Sequence, residues 1–272
     1  MKFKILVIVL NIVLITFFLS IFILPFLLDN IDIKSFFSRY WFFAPLFLAL
    51  CIGVNVVYVR NKGIITHAED GDWVALCHSL ESEVFDKQHT RFKNLKLLAD
   101  VQLLLSDFSG LSRLETFVRS HCHEAIPKLA TRFAGGKLLS GQYQELHSFT
   151  SNLVKSGKKD DFWLLFYVPF SLQMLKEYTK ASDGFSDLLS YGRERIGYLI
   201  SAMSGYFYYE VLKNKASVSA EKLVEQGKQF RESIKKTYSL SAWNAYCAKQ
   251  KEEMYILVFK KVIDDTSAWL FS

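Results

Sequence analysis

Proline is scarce in this 272-residue chain, four in all, and only Pro127 and Pro169 lie beyond residue 60. That scarcity leaves long helices uninterrupted. Cysteine is equally thin. Cys51 falls in an apolar run, while Cys77, Cys122 and Cys247 stand far apart in the remainder. Three isolated cysteines build no disulfide framework; they read as small buried apolar residues, the simpler pattern for a cytoplasmic domain.

The signatures of chemistry are missing as well. There is no G-x-S-x-G and no H-E-x-x-H. Gly135-Gly136-Lys137 has the end of a phosphate loop, but residue 131 is threonine and residue 138 leucine, so the spacing fails. His121-Cys122-His123-Glu124 gathers four residues of ligand type, yet consecutive helical residues point in different directions and cannot close on one ion. The other histidines are scattered, and Lys158-Lys159-Asp160-Asp161 reads as a loop between helices. No enzyme, cofactor or metal site is expected. The net charge of +6 is spread over separated clusters, with aromatics inside apolar helical patterns, so no nucleic-acid surface is expected either. Anionic head groups account for a mild positive balance.

What is present is apolar length. Ile5–Leu28 is broken only by Asn11, Thr16, Ser20 and Pro25, and Trp41–Val59 carries no charge. At about 1.5 Å per residue each can cross a hydrocarbon core roughly 30 Å thick. Residues 1–60 are therefore expected to form a transmembrane hairpin with spans at about 5–28 and 41–59, leaving 61–272 outside the bilayer. A signal peptide is the competing reading of the first run, but Pro25-Phe26-Leu27-Leu28-Asp29 offers no small-x-small cleavage site. Asn11 and Asn55 are the polar residues expected to make interhelical contacts, with a partner's helices or within the hairpin. Basic residues tie at two on each flank and two in the connecting loop. Both termini in the cytoplasm is the favoured orientation and the opposite one stays open.

Beyond residue 60 apolar residues recur at helical spacing, as at Leu223, Gly227, Phe230 and Ile234, which predicts an all-α domain. Ile196–Leu212 has Glu210 as its sole charge and is readable as a central helix or a third span. Two further helices, Ser219–Thr237 and Ser241–Val262, are expected to make 213–272 a terminal cap.

A pattern recurs inside the domain: Gly71-Asp-Trp73-Val-Ala-Leu76, Gly110-Leu111-Ser-Arg-Leu114, Gly141-Gln-Tyr143-Gln-Glu-Leu146 and Gly184-Phe185-Ser-Asp-Leu188. In each, a large residue stands three before a leucine and just after a glycine. Ala99-x3-Leu103, Ala134-x3-Leu138 and Ala202-x3-Tyr206 supply a second-helix echo. This partly resembles tetratricopeptide-like repeats, whose period is about 34; the family's closing proline is absent. The resemblance implies a degenerate α-solenoid over Gly71–Leu212. Trp73, Tyr143 and Phe185 would wedge between paired helices, and glycines 71, 110, 141 and 184 would turn the chain.

The expected function is that of a membrane-anchored interaction scaffold that binds a protein or peptide partner on a helical-repeat surface. The alternative is an accessory subunit of a transporter or secretion assembly, with the spans packed against partner helices.

Overall fold

A computed structural model describes residues 3–27, 38–39, 41–88, 90–157, 161–211, 220–250 and 254–272. Those residues are mainly helical, with no strand among them, and they fall into two compact units, Met1–Ser82 and Glu83–Ser272.

The first unit begins with two long helices, α1 (Phe3–Leu27) and α2 (Phe43–Asp70). They run antiparallel: Asn11 meets Asn55, and Phe18 stacks on Phe47 with ring centroids 4.5 Å apart. The two asparagines donate to each other, Asn11 Nδ2 to Asn55 Oδ1 at 3.3 Å and Asn55 Nδ2 to Asn11 Oδ1 at 3.0 Å. Their remaining amide protons go to Val7 O and Cys51 O, one turn back on each helix. Both amides are thus satisfied inside the pair, which an apolar surrounding demands. Of the two positions open to them, the asparagines occupy the hairpin's own interface. Pro45–Asp70 is long and apolar enough to cross a membrane, and none of its apolar window is buried in the protein. The helix does not stop at Val59; it continues through Arg60 and Lys62 to Asp70 and ends at Gly71 in the left-handed region. Helix α3 (Trp73–Glu81) then packs back on α2 and closes in a π-helical turn, Ser82–Asp86.

The second unit continues with α4 (Phe92–Leu104), α5 (Phe108–His121), α6 (Ile126–Leu139), α7 (Tyr143–Lys155), α8 (Phe162–Met174), α9 (Tyr178–Ser190), the single turn α10 (Arg193–Ile196) and α11 (Tyr198–Gly205). From α4 to α9 each helix packs on its sequence neighbour, while α4, α6, α8 and α11 also pack on one another in turn, giving an inner layer backed by α5, α7 and α9.

One turn recurs with the same geometry. Gly71, Ser106, Gly141 and Lys176 all take positive φ, between 57° and 74°. The residue after each donates its backbone N–H to a carbonyl five residues earlier: Asp72 to His67 (3.0 Å), Asp107 to Gln102, Gln142 to Lys137 and Glu177 to Leu172 (2.9 Å each). This closes each preceding helix in the Schellman manner. The next helix opens on an aromatic residue, at Trp73, Phe108, Tyr143 and Tyr178, 35 residues apart at every step. Three positions further on stand Leu76, Leu111, Leu146 and Ala181, none more than 3% exposed. On the helices before the turns, Ala99, Ala134 and Pro169 keep the same interval and are buried.

The repeat therefore starts elsewhere than the glycine pattern predicts. Gly71 and Gly141 do turn the chain. Gly110 instead lies in the first turn of α5, where Asp107 Oδ1 accepts its N–H at 2.9 Å and a Cβ would collide with that carboxylate. Gly184 sits mid-helix in α9, where a Cβ would come within 2.9 Å of Pro169. The turns these two were expected to make belong to Ser106 and Lys176, which adopt a left-handed conformation that costs a non-glycine residue about 1–2 kcal/mol. Phe185 is fully buried as a wedge should be, whereas Tyr143 is half-buried and Trp73 is 42% exposed. Leu114 and Leu188 are buried with Leu76, Leu111 and Leu146.

Residues 196–211 do not form a third span. Gly197 breaks the helix at φ 84°, α11 lasts 8 residues before a π-helical turn at Tyr206–Val211, and Leu199 to Ser204 are buried in the unit. Residue 212 lies outside the described residues.

The tail forms α12 (Ala220–Lys235), α13 (Leu240–Gln250), the single turn α14 (Met254–Leu257) and α15 (Lys260–Phe271). The helix expected over Ser241–Val262 is thus divided. Its middle piece, α14, packs on α4 and α6, while α15 packs on α11, α12 and α13. The tail consequently lies along the inner layer as well as closing the end of the domain.

Candidate interaction surface

Phe259 anchors that crossing. It is fully buried against α8, with ring centroids 5.7 Å from Trp163, 5.4 Å from Phe166, 5.0 Å from Tyr167 and 5.3 Å from Phe170. Ile256, 2% exposed, is the second anchor, three residues earlier on the same face. Val258 reaches the backbone of α6 at Gly135, where a Cβ would stand 3.2 Å from its methyl. The inner layer is therefore a groove that already holds an apolar helical segment, supplied by the chain itself. No local pattern in the sequence signals this; Phe259 follows an ordinary apolar stretch.

Beside Phe259 the groove remains open. A cleft of about 550 Å³ is lined by Pro127 and Lys128 of α6, Phe162 and Trp163 of α8, and Ile196 and Ile200 around α10 and α11. Trp163 is common to the cleft and the Phe259 site. The two isoleucines form a buried floor. Asp161, at the edge, caps α8 by accepting from the Trp163 and Leu164 N–H groups, both at 3.2 Å. Lys128 is exposed at the rim and approaches the Phe92 ring at 5.6 Å; no carboxylate among the described residues pairs with it.

Charges inside the domain are structural. Glu115, 9% exposed, joins Arg119 one turn on (2.7 Å) to Lys137 of α6 (3.0 Å), so α5 and α6 are pinned together. Arg132, 4% exposed, holds Asp100 of α4 at 2.7 Å. His147 ties α7 to α8 through Ser171, Nδ1 to Oγ 3.1 Å, and the Ser171 hydroxyl donates to Val168 O at 2.7 Å.

The ligand-type and glycine-rich motifs have structural surroundings. Gly135-Gly136-Lys137 lies within α6, and a Cβ at Gly136 would collide with Leu111 of α5. His121 ends α5, stacked on Phe117 at 4.3 Å and with Nδ1 3.1 Å from Phe117 O. Burial pushes the Cys122 thiol up from its ordinary value; Cys122 is only half-buried, unlike Cys77 and Cys247. His123 and Glu124 are exposed on a single 3₁₀ turn. Among the described residues no three or more His, Cys, Asp or Glu side chains are grouped to hold a metal ion. Of Lys158-Lys159-Asp160-Asp161 only the last is among the described residues.

No solved structure matches the chain. A relative from Treponema pallidum (strain Nichols), called an uncharacterized protein, is 33% identical over 239 residues, which cover 85% of this chain and 75% of the relative. The family described as "Uncharacterised Treponema protein" matches residues 110–272, a stretch that holds both the open cleft and the C-terminal segment lying along the groove. The chain belongs to this family of Treponema proteins.

Proposed function

We propose that the protein is a membrane-anchored interaction scaffold: a two-span hairpin carrying a tetratricopeptide-like solenoid that binds a protein or peptide partner, with both termini and the solenoid in the cytoplasm. The observation that carries this reading is the identical turn at residues 71, 106, 141 and 176. A helix pair repeated at constant interval stacks into an extended surface of the kind that binds partners. The first of these turns lies at the end of α2, so the long apolar helix is also the first helix of the repeat. The mutual Asn11–Asn55 bonds support two spans inserted as one unit, since they leave neither amide unpaired in lipid.

An accessory-subunit reading draws support from the hairpin's flank. Leu6, Leu10, Leu50, Val54 and Val57 line an apolar hollow of about 470 Å³ around Gly53, where a Cβ would meet nothing within 4 Å. Such a notch suits a partner helix. Cross-linking mass spectrometry on the full chain in its native membrane separates the two readings. Reproducible cross-links to one protein through residues 83–272 support the scaffold. Cross-links confined to α1 and α2 support the subunit, and none through either removes the scaffold reading.

A further inference from the structure

We propose that Met254–Phe259 is a releasable strap across the inner layer, and that the partner is a protein offering the same chemistry: a short helical turn with a branched apolar residue and, three positions on, a phenylalanine, which takes the strap's place. This rests on the scaffold reading above and adds where the partner sits and what it displaces.

The Gly135-Gly136 pair inside α6 carries the first part of the argument. Neighbouring residues of a helix point about 100° apart, and the two glycines admit two different neighbours. At Gly136 the space of a Cβ is held by Leu111 of α5, so this glycine lets the backing layer pack. At Gly135 the nearest atom is a methyl of Val258, 3.2 Å from the Cβ position, with the Tyr167 hydroxyl at 3.5 Å. Glycine weakens a helix interior relative to alanine, so α6 gives up local stability where it admits the strap. The strap itself is short. Its helical part, Met254–Leu257, is a single turn and takes its shape from the layer it lies on. Ile256 and Phe259 are buried, while Leu257 between them is 41% exposed. Two anchors on one face, with the opposite face in solvent, is how a helical segment docks in a groove. The repeats close on contacts of their own: α4 to α6 through Asp100 and Arg132, α5 to α6 through Glu115 and Lys137, and α7 to α8 through His147 and Ser171. The strap takes part in none of these, so its release leaves them standing.

The Cβ of Val258 is one bond from the methyl that faces Gly135, which brings cysteines at 135 and 258 close to the Cβ separation of about 3.5–4.5 Å that a disulfide needs. The full chain carrying Gly135→Cys and Val258→Cys is placed in lipid nanodiscs and either oxidised, which locks the strap, or reduced, which frees it; mass spectrometry checks the bond. The probe is a fluorescein-labelled, terminally blocked peptide of residues 254–261, followed by anisotropy. Because the strap must leave first, apparent affinity scales with the fraction of chains in which it is off. The reduced chain should bind the peptide at least about ten-fold more tightly than the oxidised one, and the same peptide with Phe259→Ala should bind neither. The unmodified chain gives a second measurement that no folding defect can spoil: excess peptide should speed hydrogen exchange at the backbone amides of residues 256–259. Equal binding in the two states, tighter binding when oxidised, equal binding of the Phe259→Ala peptide, or exchange that is unchanged or slowed in the unmodified chain overturns the proposal. Partner cross-links through residues 83–272 that are the same in oxidised and reduced chains would retain the scaffold and reject the strap, whereas loss of all such cross-links in the wild type rejects the scaffold itself.

Discussion

Phe259 and Trp73 show how differently one residue class is used. Phe259 is enclosed on α8 by four aromatic rings, and Phe185 is fully buried against Phe166 and Phe207. Truncating either to alanine should cost about 3–5 kcal/mol, because a cavity opens that the surrounding rings cannot fill. Trp73→Ala removes a side chain 42% exposed and should cost clearly less. Urea unfolding of the full chain in detergent checks the ordering; equal losses would contradict these burials. Lys176 tests the turn itself. A lysine at φ 63° pays for a conformation that glycine adopts freely, so Lys176→Gly should raise stability by up to about 1 kcal/mol and Gly141→Ala should lower it by about the same. Tyrosines set an alkaline limit. Burial raises the phenol pKa of Tyr206, Tyr209 and Tyr246 above its ordinary value, with Asp265 and Glu210 adding to the rise at Tyr206. Below about pH 10 the unfolded chain also holds these protons, and the contribution is intact. As pH rises past that value the unfolded chain ionises first, so stability falls through the folded-state pKa. The loss between pH 9 and pH 11 should be smaller in Tyr209→Phe than in wild type.

At the scale of elements, the Asn11–Asn55 clasp makes a double-mutant prediction. Either asparagine alone changed to leucine strands the other amide among apolar neighbours, whereas the double leucine leaves nothing unpaired. The two single variants should therefore lose up to about 1–2 kcal/mol in a mild detergent, and the double less than their sum. How much was legible follows from such elements. The apolar runs, the helical class and the interhelical asparagines were readable, because each is a local pattern or a composition. The positions of the recurring turn were not. Reading turns from glycine finds Gly71 and Gly141 but misses Ser106 and Lys176, since a left-handed serine or lysine has no signature in a single sequence. The glycines at 110 and 184 then drew the pattern off by a few residues, although what they serve is a close approach to Asp107 and Pro169. The recurrent polar-aromatic pair that follows each turn, Asp-Trp, Asp-Phe, Gln-Tyr and Glu-Tyr, was the signal that would have fixed it. The cleft and the segment beside it were illegible for another reason: they join residues 127, 163, 200 and 259, and no local rule reports such separations.

For the whole molecule, the proposed anchorage by two apolar helices predicts retention in the membrane fraction through carbonate and high-salt washes. Release of intact protein, or a mature amino terminus near residue 30, would contradict it. A periplasm-active reporter should be silent when fused after Ser272 and active when inserted near Ile33 if both termini face the cytoplasm; the reverse pattern inverts the topology. The continuity of α2 has a mechanical consequence. A helix of 28 residues is about 42 Å long, against a hydrocarbon core of roughly 30 Å, and each residue advances its face by about 100°. In the proposed membrane topology it would serve as ruler and compass together, setting both the height at which Gly71 emerges and the bearing from which α3 departs, measured from the Asn55 side of the helix. One alanine inserted between Lys62 and Gly63 would swing that bearing by about a quarter of a circle for about 1.5 Å of added height, whereas seven would nearly restore it about 10 Å higher. Partner capture that fails with one inserted residue and returns with seven would mean that the bilayer dictates the direction in which this scaffold faces.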